Sequence, residues 1–182
     1  GAASVSPFLG AVRAEGPLLK GKLSILGSVR TSLIEHSAPV VLREDLPMAY
    51  SDMYVKLEGM GDFGRCSLSG LRTFDRGSID LTRGEEFTWD NAVLGGRCVL
   101  LVPDSGTSVE ITSGFSIINN RIGRQRTHKR TAQAWRHSSE AHFTHPYSNV
   151  TYQWGIWLGT EDMDYLLNER FFQREFFDRR LL

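Results

Sequence analysis

Cysteine is scarce in this chain, with two among 182 residues, and no sign of charge is in excess. The two, Cys66 and Cys98, form no CxxC pair and no zinc-ribbon spacing. They are too few for a disulfide-built secreted scaffold. Both fall in strand-like segments, so two free, buried thiols are expected. Lys and Arg total 21 and Asp and Glu total 21, a formal net charge of zero. Bulk positive charge is therefore not available to hold nucleic acid along the whole chain. A neutral chain also lacks the repulsion that keeps lone monomers apart, which favours association. No run approaches the ~18–20 apolar residues of a membrane helix. The first thirty residues carry no basic start followed by a long apolar stretch, so no signal peptide is read there. No methionine precedes Met48. Gly1 is read as the residue after a cut in a longer precursor, or as one left by a tag protease.

What is present describes a globular, strand-rich domain. Apolar residues make up 41% and charged residues 23%, which argues against disorder, and 18 glycines suit a chain of many turns. The N-terminal stretch 1–21, punctuated by Pro7, Gly10, Gly16 and Pro17, is expected to be an arm. Leu23, Ile25 and Val29 alternate with Lys22, Ser24, Ser28 and Arg30, the period of a half-buried strand. Val40–Leu42 is expected as a short strand after the break at Pro39. Met53, Val55 and Leu57 alternate again. Cys66–Leu71 and Ser78–Leu81 are expected as strands separated by a turn at Phe74–Gly77, with a further turn at Arg83–Glu86. Cys98–Val102, Val109–Thr112 and Phe115–Ile118 follow. Asn119–Ser139 is polar and without period, and is expected to be a loop. Val150–Leu158 is rich in β-branched and aromatic residues, a strong strand signal. Eight or nine strands spaced by turns predict a sandwich or barrel, and no strand–helix alternation supports a parallel α/β sheet.

The last segment reads differently. Thr160 is placed to cap a helix whose first turn holds Glu161, Asp162 and Asp164. Phe171, Phe172, Phe176 and Phe177 then arrive as two doublets that one core face cannot bury, so they are expected to anchor a neighbouring subunit.

Four patterns bear on chemistry. Asp104-Ser105-Gly106-Thr107 follows an apolar strand and resembles the signature of aspartic proteases. In that family two such aspartates share a proton, so a single copy would have to dimerise. The same letters are a favourable β-turn. His137, His142 and His145 with Glu140 offer metal-ligand side chains, but at H-x4-H-x2-H spacing in an expected loop, without the geometry of a zinc motif. Gly59-Met60-Gly61-Asp62-Phe63-Gly64 spells G-x-G-x-x-G with no helix behind it to hold a phosphate, and reads as a turn. Arg121, Arg124, Arg126, Lys129, Arg130 and Arg136 are a basic cluster suited to RNA phosphates or to acids of a neighbouring subunit. Asn149-Val150-Thr151 matches a glycosylation sequon. No Walker loop and no GxSxG is present.

An all-β chain of about eight strands, with Gly1, neutral charge, an N-terminal arm and an aromatic tail, resembles the coat proteins of picorna-like plant viruses (Secoviridae, cheravirus-like). The resemblance implies an eight-stranded jelly-roll sandwich, a double Greek key, over residues 22–160. Residues 1–21 would be the arm and 161–182 a helical, aromatic tail. It implies a structural capsid protein released from a polyprotein, one of several subunits of an icosahedral shell around RNA. Other capsid subunits are its expected partners, with encapsidated RNA a further one, in the virion and in the host cytoplasm during assembly. No enzymatic activity, cofactor, metal, membrane or small-molecule substrate is expected. A cut at Thr160 is expected to leave a folded domain that cannot assemble. The alternatives are a homodimeric aspartic-type protease using Asp104, and an RNA-binding or movement module using the 121–136 arginines.

Overall fold

The computed structural model describes residues 1–80, 85–124 and 127–166. The protein is all-β, with one short helix and one antiparallel sheet of nine strands. The strands are β1 (Ala2–Val5), β2 (Leu9–Leu18), β3 (Leu23–Ser32), β4 (Met48–Gly61), β5 (Gly64–Asp80), β6 (Glu85–Leu101), β7 (Ser108–Arg124), β8 (Thr127–Tyr147) and β9 (Val150–Leu166). They lie side by side in chain order. A Greek key needs a long connection that returns a strand beside an earlier one, and none joins these strands. The expected double Greek key is thus replaced by a meander. Short turns dictate this at most of the connections, because a tight hairpin can only place a strand beside its predecessor; β3 and β4 are neighbours across the longer segment 33–47, which holds the helix.

The turns set the register. The glycine-rich segment is the β4–β5 hairpin, with Gly61 paired to Gly64 across Asp62 and Phe63. The Asp104-Ser105-Gly106 segment joins β6 to β7. Asp104 and Gly106 both have positive φ (61° and 65°), a conformation Gly adopts freely and Asp tolerates. Within it the Ser105 hydroxyl donates to the Val102 carbonyl (3.2 Å) and accepts from the Thr107 N–H (3.1 Å). The Leu101–Ser108 pair closes the strands above it. The β8–β9 turn holds Ser148 and Asn149, the latter exposed.

Several sequence expectations are corrected. Residues 2–18, expected in the arm, supply β1 and β2, turned about Ser6, whose N–H donates to the Leu9 carbonyl at 2.8 Å. Val40 and Val41 end a helix, α1 (Ile34–Val41), where a strand was expected. Ser37 caps it internally by donating to the Leu33 carbonyl (2.9 Å), and an ion pair from Glu35 to Arg76 (2.7 Å) ties it to β5. Phe74–Gly77 is no turn, because all four residues pair with both β4 and β6. Asn119–Ser139 is not a loop: its described residues lie in β7 and β8, paired from Asn119↔Gln133 to Arg124↔Thr127. Glu161–Leu166 extend β9 against β8 and do not begin a helix. A cut at Thr160 would therefore remove the paired end of β9, Glu161–Leu166. Of the expected turn at Arg83–Glu86, Glu85 and Glu86 begin β6 and pair with β5, while Arg83 and Gly84, together with Arg126 and the anchors Phe171, Phe172, Phe176 and Phe177, lie outside the described residues.

Among the described residues no second layer covers the sheet. Among the described residues Ala38 is the one fully buried apolar residue, and no large side chain is fully buried. The chain exposes 13893 Å². A compact monomer of its 20.5 kDa mass would expose roughly 8,800 Å². Among the described residues no helix is long and apolar enough to cross a membrane.

Candidate functional site: an uncovered sheet face

Side chains alternate along a strand, and directly paired residues share a face. The register therefore sorts the sheet into two faces. One rung of the first face runs Leu23–Gly59–Cys66–Cys98–Ile111–Ala141–Ile156 from β3 to β9. The next rung on that face is Ile25–Leu57–Leu68–Gly96–Ser113–Ser139–Leu158. Leu100, Val109, Phe143 and Trp154 form the rung before them, and Val55, Leu94 and Phe115 sit in the rung after. Phe143 and Trp154 stack with centroids 3.9 Å apart, and Phe115 stacks on Trp135 at 6.3 Å. This apolar face is open: Ile111 is 44% exposed, Trp154 56% and Leu158 66%.

The intervening rungs form the other face, where a ladder of charges is interspersed with apolar and aromatic side chains, among them Leu26, Tyr54, Leu71, Val93, Ile118 and Trp157. Glu58 on β4 takes Lys56 Nζ at 2.7 Å and also pairs with Arg65 on β5. Arg97 on β6 pairs with Glu110 on β7 at 2.6 Å, and Arg30 on β3 with Asp52 on β4 at 2.8 Å. Hydrogen bonds from Lys56 and then Arg65 hold the Glu58 carboxyl below its ordinary pKa, and Arg97 does the same for Glu110. Among the described residues two ion pairs intrude on the apolar face, one of them Arg76 of β5 with Glu35 of α1. In the other, Arg72 Nη2 lies 2.9 Å from Asp90 and its hydrogen bond lowers the Asp90 pKa.

Near the middle of the apolar face three polar side chains close on one another. The Ser113 and Ser139 hydroxyl oxygens are 2.8 Å apart, and His137 Nε2 lies 3.3 and 3.2 Å from them. Sequence reading grouped His137 with a metal set and missed these serines. Their pairing was hidden because it depends on the β7–β8 register, which places Ser113 opposite Ser139.

The structure separates most of the sequence-derived sites. His137 and His142 are five residues apart in one strand, so they face opposite sides of the sheet. His145 shares the face of His137 but lies eight residues along β8, roughly 27 Å at strand spacing, beside Thr107 Oγ1 at 2.7 Å. No cluster of three metal-ligating side chains exists among the described residues. Asp104 is exposed at a hairpin tip. The arginines do not form one patch. Arg121 lies on the face of Asp90, whereas Arg130 and Arg136 lie on the other, Arg136 directly across from Glu161. The side chains of Arg124 and Lys129 lie outside the described set.

Cys66 and Cys98 are not free. They face each other across β5 and β6, Cα atoms 4.1 Å apart, and are bonded as a disulfide. That close spacing belongs to the non-hydrogen-bonded type of antiparallel pair. No known protein family, curated protein or solved structure matches this chain.

Proposed function

We propose that this chain is a structural subunit of a protein shell, the coat protein of a picorna-like virus being the form that joins its features. One observation carries the reading: an ordered nine-stranded sheet with a continuous apolar face that nothing within the described chain covers. Such a face is stable in water only against another surface, because monomers rarely expose contiguous apolar patches beyond a few hundred Å². A sandwich forms when the apolar faces of two sheets meet. The two-layer architecture of a jelly-roll coat would then be reached between chains and not within one. Zero net charge supports close packing of subunits. The Cys66–Cys98 bond suits a particle that persists outside a reducing cytosol.

The test is negative-stain electron microscopy of particles purified from the native source, alongside intact-mass analysis of their proteins. Uniform spherical particles containing this chain with a few partners of similar size are expected. Recovery of the chain solely as a lone monomer would overturn the proposal.

A further inference from the structure

We propose that the apolar face is covered by a second copy of this chain, packed sheet on sheet. This deepens the shell-subunit reading and rests on it.

Area is the first argument. The apolar rungs cross seven strands, β3 to β9. At about 4.8 Å between strands and 3.4 Å per residue, over about eight residues, that patch covers on the order of 900 Å² per copy. Two copies would bury about 1,800 Å², within the range of specific, stable interfaces.

Charge is the second. The four apolar rungs themselves hold no Lys, Arg, Asp or Glu; Arg72 with Asp90, Arg76 (paired with Glu35 of α1), and Arg121, Asp162 and Asp164 lie on the same face in rungs beyond them. Two such patches would therefore meet without a like-charge clash between them, and a two-fold axis allows one patch to serve both partners. Ser113, Ser139 and His137 already hydrogen-bond to one another. Covering them would not strand their hydroxyls without a partner, which is the usual cost of burying polar groups. The opposite face, with its ladder of cross-strand ion pairs, is the one suited to solvent.

The experiment is sedimentation equilibrium of the full chain over a wide concentration range, with three single substitutions. Leu158→Glu and Phe115→Glu place a charge on the apolar face. Thr112→Lys places one on the opposite face of the same strand as Phe115. The wild type should be a dimer, and both apolar-face variants should raise its dissociation constant at least about thirty-fold, the size of a central interface residue. Thr112→Lys should leave it unchanged. Leu158 is 66% exposed in the single chain, so its replacement decides the matter even if Phe115→Glu fails to fold. Higher oligomers that ignore the apolar-face variants would overturn the face-to-face contact while leaving the shell reading standing. A folded monomer at every concentration would overturn both. Equal weakening by Thr112→Lys would overturn the assignment of the contact to the apolar face.

Discussion

Reduction of the Cys66–Cys98 bond should destabilise the sheet by an amount the chain itself sets. The two residues are 32 apart in sequence, and a cross-link of that span removes loop entropy from the unfolded chain. The chain-entropy relation gives about 3.7 kcal/mol at 25 °C for a loop of this length. That is roughly a 500-fold change in the unfolding equilibrium. With a urea m-value of about 2 kcal/mol/M the midpoint should fall by about 1.8 M. The assay is urea unfolding followed by tryptophan fluorescence, with and without reductant. The double variant Cys66→Ser/Cys98→Ser serves as control and should unfold at the reduced midpoint regardless of reductant. Alkylation without reduction should label neither cysteine. Two labelled thiols in the native protein, or an unchanged midpoint on reduction, would refute the bond and restore the expectation of free thiols.

Gly64 offers a second test. A Cβ there would collide with the Val99 carbonyl oxygen and lie 3.0 Å from the Leu100 Cα, both backbone atoms that cannot rotate aside. Gly64→Ala should cost about 1–3 kcal/mol, as overpacking does, whereas Gly27→Ala, with nothing within 4 Å, should be neutral or slightly stabilising in urea melts. Equal stabilities would argue against the β5–β6 register. The carboxylates give a pH test. Glu58, Glu110 and Asp90 have pKa values lowered in the folded state by hydrogen bonds from Lys56, Arg97 and Arg72 respectively. Their contribution is present above the unfolded carboxylate pKa and is lost as pH falls through the lowered folded values. The urea midpoint should be flat from neutral pH to about 5 and should drop below about 4; a midpoint that rises on acidification would contradict the ion-pair ladder. Because these pairs are solvent-exposed, the drop should be modest and smaller in high salt.

The sequence marks its turns more clearly than its strands. Gly61–Gly64 and Asp104–Gly106 are readable from turn chemistry, and each fixes the register of the two strands it joins. Cys66 and Cys98 are equidistant from residue 82, one position before the expected turn at Arg83–Glu86. Only a hairpin centred on residue 82 pairs them, and the expected turn is centred too far along the chain to do so. The false breaks have a common cause. β5 carries Asp75 and β8 carries Arg130 on the charged face, and Arg76 and Gln133 sit on the other face beyond its apolar rungs, all at positions that sequence reading assigns to loops. The expected start of a helix at Thr160 failed for a related reason. Thr160, Glu161, Asp162 and Asp164 do favour a helix start, but β8 supplies a partner for each of them, from His137↔Thr160 to Gln133↔Asp164, and the ladder overrides local propensity. The apolar face was half legible: the alternations at Leu23–Val29 and Met53–Leu57 point to it. That it lies open is a property of topology, and no residue pattern states it.

A face and an edge promote assembly in different ways. Two apolar faces that meet consume each other, so face pairing stops at two copies. Among the described strands nothing pairs with the outer side of β9, whose half Val150–Leu158 carries no charge and no proline. An edge of that kind is a template for another strand. In the same strand Glu161, Asp162 and Asp164 concentrate three carboxylates at one end, which would repel an identical edge laid in parallel and favour an antiparallel or different partner. In the proposed shell the face-to-face pair would supply thickness and the β9 edge would supply extension to a neighbouring pair.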